Sequence, residues 1–221
     1  LGASKSIDLV NDFAPVAIIG DIPNVLVASA SGSIKSIADV ITQAKASPGK
    51  LNYGHAGVGT ASHLAGELFA KRAGIQIVPV PYRGNQPAVT DLLGGHIPLM
   101  FSNLAGTLPY MEGDKLRIVA ITGSARSPLA PNIPTFAESG VSGLENGVWM
   151  ALMAPKGTPD AIVAKLATHV DAVIKEPATI ERLRKLGTEP AFAPPKEFAA
   201  RMKAEHALWS QIVKDANIKL E

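Results

Sequence analysis

The chain has 221 residues, of which 47% are hydrophobic and 18% are charged, a composition that predicts a folded globular protein and argues against disorder. Its 21 basic residues are nearly balanced by 19 acidic ones and are scattered along the chain, so we expect no nucleic-acid partner. The absence of cysteine excludes disulfides, thiolate metal sites and cysteine nucleophiles.

The start of the chain indicates a processed or truncated N-terminus. It opens at Leu1 without an initiator methionine, and no charged-then-apolar leader precedes the first predicted strand. No apolar run reaches the roughly 20 residues needed to cross a bilayer. We therefore expect a chain that lacks its signal peptide and does not itself span a membrane.

The first 122 residues alternate strand and helix patterns. Strands are predicted at Val16–Ile19, Asn24–Ala28, Leu51–His55, Ile75–Tyr82, Ile97–Phe101 and Leu116–Thr122. Helices are predicted from a cap at Ser33 or Ser36 to Lys45, from the cap Thr60 to Gly74, and from Pro87 to Leu93. The nearly continuous apolar run of Ile75–Tyr82 predicts a strand buried on both faces, as in a parallel sheet.

The remainder of the chain begins with a turn-rich connection, residues 123–147. A strand is predicted at Val148–Ala154, then a helix over residues 157–175 with Thr158 as cap and Pro159 as first residue. Two further helices are predicted over about 178–186 and 195–216. The alternation predicts an α/β fold with a mostly parallel sheet. The chain is predicted to cross from one lobe to the other near residues 20–24 and again within 123–148.

The segment 57-GVGTAS-62 is a glycine loop that joins the strand Leu51–His55 to a helix. A helix N-terminus offers unpaired amides and the positive end of the helix dipole, so this loop favours an anion. Ser62 stands where a dinucleotide loop needs its third glycine, and no lysine follows as in a P-loop. The sequence therefore favours a small carboxylate, held by the amides of Gly57–Ala61 and by the hydroxyls of Thr60 and Ser62.

Two histidines, His55 and His63, flank this loop and are candidate metal ligands. Metal sites need three or four converging ligands, and no third ligand stands at suitable spacing, so we expect no metal. We instead expect His63 to bond the cap of its own helix from the third helical position. His55 is expected to face solvent or the ligand cleft from the end of its strand.

Two other loops follow strands of the same predicted sheet. Tyr82 could close over a ligand, and Arg83 could make a bidentate contact to a second carboxylate, although a solvated turn is an equal alternative for Arg83. Ser102 and Asn103 offer neutral donors at the next strand end, with helix capping as the alternative.

Five stretches, in this order and spacing, carry a resemblance to a known family. They are 12-DFAPVAIIGDIPNVLVA-28, 48-PGKLNYGHAGVGTASHLAGELF-69, 80-VPYRGNQPAVTDLLGGHIPLMF-101, 133-IPTFAESG-140 and 154-APKGTPDAIVAKL-166. The chain resembles, over essentially its whole length, the periplasmic receptors of tripartite tricarboxylate transporters, also called Bug-type solute receptors. The resemblance implies a type II periplasmic-binding-protein fold with two α/β lobes around a ligand cleft. Residues 1–22 and 147–221 would form lobe 1, and residues 23–146 lobe 2.

The resemblance also implies a set of ligand-binding residues. The family's glycine-loop, V-P-Y-[KR]-G and M-F-[DS]-N motifs fall on Gly57, Val58, Gly59, Thr60, Ala61, Ser62, His63, Tyr82, Arg83, Ser102 and Asn103. The sequence departs from the family at His55, where a small residue is usual, and at Ser102, where aspartate is common. The family's N-terminal P-F-x-x-G-G loop is absent here, so lobe 1 is expected to be incomplete.

The function that the resemblance implies is a periplasmic receptor that captures a di- or tricarboxylate, or a related organic acid, for integral-membrane transporter subunits. We expect no enzyme activity and no cofactor. One alternative is a small hydrolase or lyase that uses a histidine, although the sequence has no G-x-S-x-G elbow. The other is the ligand-sensing effector lobe of a transcription regulator.

The C-terminal helix carries an apolar stripe that needs a partner. Its residues are Phe198, Met202, Trp209, Ile212 and Val213. The predicted elements of lobe 1 include too few strands to cover this stripe. We therefore expect either further N-terminal sequence or an oligomer of this chain.

Overall fold

The structure is a computed structural model that describes residues 7–111, 115–145 and 147–219. Its strands are β1 (Phe13–Ile22), β2 (Asn24–Ser29), β3 (Leu51–His55), β4 (Ile77–Pro81), β5 (Leu99–Asn103), β6 (Leu116–Ile121), β7 (Val148–Pro155) and β8 (Glu189–Ala193). Its helices are α1 (Ile37–Ala46), α2 (Ala61–Ala73), α3 (Asn85–Leu93), α4 (Leu104–Thr107), α5 (Asp160–Ile174), α6 (Pro177–Lys185) and α7 (Pro195–Asp215), and a 3₁₀ turn, Leu108–Tyr110, follows α4.

These elements group into two compact units. One unit is Pro23–Val148, and the other takes the chain up to Ile22 and again from Trp149, which we call the terminal unit. That the two units act as lobes around a ligand cleft stays a prediction. Among the described residues, every helix is too short or too polar to cross a membrane.

The unit Pro23–Val148 contains a five-stranded sheet in the order β4-β3-β5-β2-β6. The strand β3 runs parallel to β4 and β5, whereas β2 runs antiparallel to β5 and β6. The sheet is therefore mixed: β3, β4, β5 and β6 point the same way and β2 runs against them, so the prediction of a mostly parallel sheet is confirmed for four of the five strands. Aromatic rings fill the core beneath α2, where the ring centroid of Phe101 lies 5.6 Å from that of Tyr53 and 5.9 Å from that of Phe69.

The burial predicted for Ile75–Tyr82 was also wrong. The strand β4 lies at the edge of the sheet and is half-exposed, with Val78 39% exposed. Pro79 and Pro81 lie within it. Because proline cannot donate to a ladder, it is confined to edge strands, which explains why this apolar run is not a central strand.

The terminal unit contains a three-stranded sheet in the order β7-β1-β8. The strand β8, which the sequence did not predict, pairs antiparallel with β1 through Ile18 and Ala193. In the apolar stripe of α7, Phe198, Met202 and Ile212 are buried, and Phe198 and Met202 pack with Ile18. For Phe198 and Met202 the expectation of an uncovered stripe was therefore wrong, because they pack on β1, which the unpredicted strand β8 extends into a sheet. That the chain needs further N-terminal sequence or an oligomer stays a prediction.

Helix starts follow local chemistry, with small shifts from the prediction. Ser36 caps α1 through a capping box with Asp39. The helix α3 begins at Asn85, after the N-cap Gly84, rather than at Pro87. The helix α5 begins at Asp160, one residue later than predicted, because Pro159 takes the cap position and the Thr158 hydroxyl donates to the Pro155 carbonyl.

Candidate functional site

The glycine loop, residues 56–60, lies between the end of β3 and the start of α2. Gly57 and Gly59 have φ values of +135° and +75°. A side chain with a Cβ is strained in this part of conformational space, so the sharp turn of the loop depends on glycine at these two positions.

Two hydroxyls hold the loop in its shape. The Ala56 amide donates to Ser62 Oγ at 3.1 Å, Ser62 Oγ lies 3.0 Å from Thr60 Oγ1, and Thr60 Oγ1 donates to the Gly57 carbonyl at 2.7 Å. Since the Thr60 proton is used on Gly57, the Ser62 hydroxyl is the donor between the two. Both hydroxyl protons therefore lie within the loop, contrary to the expectation that they face a ligand.

The backbone donors are divided between the loop and the helix end. The Thr60 amide donates to the Gly57 carbonyl, and the Gly59 amide donates to His63 Nδ1 at 3.1 Å. The first-turn amides of α2, those of Ala61, Ser62 and His63, have no acceptor inside their helix. Of the predicted span Gly57–Ala61, the amides of Gly57, Gly59 and Thr60 are thus already bonded, and the amides that lack an acceptor inside their helix lie in the first turn of α2.

The two histidines stack on each other beneath the loop. Their ring centroids are 4.2 Å apart and their planes differ by 9°. His55 is 1% exposed, and its Nδ1 lies 2.9 Å from the Gly57 carbonyl and 3.3 Å from the Gly57 amide. Of the two alternatives for His55, the solvent-facing one was wrong, because the ring turns back onto the loop, and the cleft-facing one stays a prediction. His63 accepts from the amide of Gly59 rather than bonding the cap residue Thr60 as predicted, a difference of one residue.

Burial favours the neutral form of both imidazole rings. Burial, followed by the neighbouring His63, lowers the pKa of His55 to about 4. Burial also lowers the pKa of His63, while Glu67 acts in the opposite direction. Among the described residues, no three histidine, aspartate or glutamate side chains converge as a metal site would require.

Tyr53 and Glu67 complete this cluster from below. The Tyr53 hydroxyl donates to Glu67 Oε1 at 2.7 Å, and the same carboxylate oxygen lies 3.9 Å from His63 Nε2. Burial and the Glu67 carboxylate raise the pKa of Tyr53, so the hydroxyl keeps its proton. The sequence analysis missed both residues. The signal available was the helical spacing that puts Glu67 one turn after His63.

The loop after β4 is tied to the glycine loop by backbone hydrogen bonds. The Tyr82 amide donates to the His55 carbonyl at 3.0 Å, and the Gly84 amide donates to the Ala56 carbonyl at 3.1 Å. The Tyr82 hydroxyl donates to Asp91 Oδ2 at 2.8 Å, and burial together with this bond raises the pKa of Tyr82 to about 12. Tyr82 is therefore anchored on α3. Arg83 is exposed, which is compatible both with a contact to a second carboxylate and with a solvated turn residue.

Three short polar side chains surround Gly106: Ser102 and Asn103 at the end of β5, and Asn85 at the start of α3. Asn103 caps α4, with its Oδ1 accepting from the Gly106 amide at 2.7 Å, which is the capping alternative. Ser102 is fully buried, and its Oγ and the Asn85 Oδ1 have no hydrogen-bond partner among the described residues. A methyl group on Gly106 would lie 3.1 Å from Asn85 Nδ2 and 3.4 Å from Ser102 Oγ. Asn85 was missed, although it directly follows the V-P-Y-R-G motif.

The loops at the ends of β3, β4 and β5 lie on one edge of the sheet, where open α/β sheets bind their ligands. Solved relatives with the type II periplasmic-binding-protein fold superpose on this chain, so the chain belongs to that fold class, as the sequence predicted. The model of the tripartite tricarboxylate transporter family receptor matches residues 5–218. The chain belongs to this family of receptors.

Individual relatives agree with the family model. BugT of Bordetella pertussis is 34% identical over 213 residues, which are 96% of this chain and 65% of BugT. A curated relative from Pseudomonas sp. strain P51 is 35% identical over 203 residues, which are 91% of this chain and 60% of the relative. The chain thus spans about three fifths of the length of these relatives.

Two solved structures were determined with small carboxylates. Rpa4515 of R. palustris with adipate is 35% identical, with a TM-score of 0.83, over 100% of this chain and 74% of its own. MatC from Rhodopseudomonas palustris with bound malate is 28% identical, with a TM-score of 0.76, over 95% of this chain and 72% of its own. A family of receptors favours the receptor hypothesis over the hydrolase, lyase and regulator alternatives.

Proposed function

We propose that this chain binds a small carboxylate as part of a periplasmic receptor that delivers its ligand to membrane transporter subunits. The ligand class is supported by two relatives whose structures hold adipate and malate, both dicarboxylates. The periplasmic location and the transporter partner are supported by the family to which the chain belongs.

The observation that carries the proposal is the start of α2 at the sheet edge. One carboxylate would accept from the first-turn amides of Ala61, Ser62 and His63. Val58 would lie beside it, and Gly57 and Gly59, which have no side chain, would let the carboxylate approach the loop backbone. Hydrogen bonds to a charged group contribute roughly 1.5–3 kcal/mol each, so three of them approach the roughly 8 kcal/mol of a micromolar complex. Thr60 and Ser62 serve by holding the loop rather than by donating their hydroxyl protons.

The neighbouring loops would hold the rest of the ligand. Arg83 is exposed at the end of β4 and offers a planar pair of donors to a second carboxylate. Tyr82, fixed by Asp91, would form a wall, and Ser102 and Asn103 would supply neutral polar groups from the end of β5.

The test is the substitution Gly59→Val, measured by calorimetry with adipate and malate. A β-branched side chain resists the φ of +75° and crowds the anion, so binding should be lost. The matched control is Gly49→Val, which has a similar φ of +71° but lies in the turn between α1 and β3, away from the loop. Equal affinities in the two variants would contradict the proposed site, and a wild-type chain that binds neither acid would contradict the proposed ligand class.

A further inference from the structure

Each positive-φ glycine of the glycine loop is bonded to one of two stacked imidazoles. His55 contacts Gly57 through Nδ1, and His63 accepts from the Gly59 amide through Nδ1. The rings lie face to face at 4.2 Å and are 1% and 5% exposed, so neither can swing away into water. The loop therefore lies on a rigid pair of rings.

The hydrogen bonds fix the tautomer of His63. An amide is always a donor, so Nδ1 of His63 carries a lone pair and the ring proton is on Nε2. The Nε2 atom lies 3.9 Å from Glu67 Oε1. A second proton on His63 would have to enter at Nδ1, in the place that the Gly59 amide now occupies.

The groups around the rings decide which of them takes that proton. From β3, the Tyr53 ring lies 5.9 Å from His55, and its hydroxyl donates to Glu67. From α2, Glu67 lies beside His63 and favours its charged form. The Asp91 carboxylate of α3 is bonded by Tyr82, Arg83 is exposed, and β5 carries no charged side chain. The proton therefore goes to His63 before His55.

We propose that the stacked pair His55 and His63 positions the glycine loop for its ligand, and that protonation of His63 releases Gly59 and weakens carboxylate binding. Both residues are positioning residues: their ring nitrogens hold the glycine loop in shape, whereas backbone amides bind the carboxylate. The inference rests on the proposed function, since the loop must bind the carboxylate for its shape to matter. The affinity falls as the pH drops through the pKa of His63, which burial holds below the ordinary imidazole value of about 6.5.

The first test compares the affinities of wild type and His63→Asn for adipate and malate at about pH 7.5 and about pH 5. The oxygen of asparagine can accept from Gly59 where Nδ1 does now, but it does not titrate. Taking the ratio of the two affinities at each pH cancels the ionisation of the ligand itself. We expect the affinity of wild type, divided by that of the variant, to be lower at about pH 5 than at about pH 7.5, with a limit of about tenfold, the effect of losing one hydrogen bond. A ratio that does not change with pH would overturn the inference.

A second variant tests the direction of the effect. Glu67→Gln keeps the acceptor of the Tyr53 hydroxyl but removes the negative charge beside His63. The midpoint of the affinity loss should then move to lower pH. A midpoint that stays in place or rises would contradict the role assigned to His63.

Nuclear magnetic resonance of the ligand-free wild type gives a readout that requires neither binding nor a variant. The Gly59 amide signal should shift together with the ring signals of His63 as the pH falls. A Gly59 signal that stays still while His63 titrates would overturn the inference even if the acids bind. Failure of the acids to bind, with coupled Gly59 and His63 signals, would instead reject the proposed ligand class and leave the positioning role supported.

Discussion

The two units each contain a partly buried polar cluster, and the two clusters are built from different kinds of ionisable group. The first, the imidazole cluster, consists of Tyr53, His55, His63 and Glu67 in the unit Pro23–Val148. The second, the arginine cluster, consists of Asp21, Trp149, Arg201 and Glu205 in the terminal unit. In the arginine cluster, Arg201 contacts both oxygens of Asp21 at 3.2 and 2.7 Å and Glu205 Oε1 at 2.8 Å, while Trp149 Nε1 donates to Glu205 Oε2 at 2.9 Å.

The difference lies in which protons can move near neutral pH. The arginine cluster is built around the Arg201 guanidinium, which keeps its charge in proteins and holds a planar, multiply bonded arrangement typical of a fixed structural element. The imidazole cluster is built around two rings whose neutral form is favoured by burial, beside one carboxylate. The rings at the candidate binding loop can therefore change charge as the pH falls, whereas the guanidinium of the terminal unit does not.

The largest expected effect comes from breaking the arginine cluster with Arg201→Ala. Two carboxylates, one of them 8% exposed, would lose their cation, which should lower the free energy of unfolding by about 3 kcal/mol. Urea denaturation would measure this. Arg201→Lys should lose less, since it keeps the charge without the planar fork.

Arg126→Ala is the matched control for that measurement. Arg126 also bonds a carboxylate, Glu138 at 3.0 Å, but both side chains are nearly half exposed. Its removal should cost less than about 1 kcal/mol. Similar losses for the Arg201 and Arg126 variants would show that burial does not distinguish the two ion pairs.

The next effect concerns pH and the imidazole cluster. Because burial lowers the pKa of His55 to about 4, the folded state binds fewer protons than the unfolded state at pH values between about 4 and the unfolded value of about 6.5. This stability contribution is complete above about pH 6.5 and is lost as the pH falls. Relative to His55→Asn, wild type should lose about 2.5 kcal/mol between pH 7 and pH 4.5. Parallel stability curves for the two proteins would refute this account of the buried ring.

The smallest effect isolates one neutral donor in the arginine cluster. Trp149→Phe removes the Nε1 donor to Glu205 but keeps a ring to pack against Phe198, whose centroid lies 5.1 Å away. Leaving one carboxylate oxygen of Glu205 unpaired should cost about 1.5 kcal/mol in urea denaturation. A variant as stable as wild type would mean that water replaces the indole.

The sequence predicted the strand, glycine loop and helix at the site because their signals are local. A glycine turn, a capping threonine and an apolar helical stripe stand within 20 residues of one another, and the structure has each of them where it was predicted. The family motifs placed the loops after β4 and β5 in the same way. That these residues bind the ligand stays a prediction.

The sequence did not predict features that depend on tertiary pairing. The strand β8 reads 189-EPAFA-193, with a proline and no β-branched residue, and it is a strand because β1 lies beside it. His55 and His63 are eight residues apart, and their stacking depends on how α2 folds back over β3. No local pattern shows that a strand-end histidine turns inward onto the loop that follows it.

The prolines of β4 have a consequence for how the protein behaves at high concentration. The Tyr82 amide donates to the His55 carbonyl of β3, and amides alternate in direction along a strand, so the even-numbered amides of β4 face β3 and those of positions 77, 79 and 81 face outward. Two of these three outward positions, 79 and 81, are proline, so this edge lacks two of the amide donors that another strand would need for pairing. An apolar edge strand is a common starting point for aggregation, and Pro79 and Pro81 protect the sheet from it.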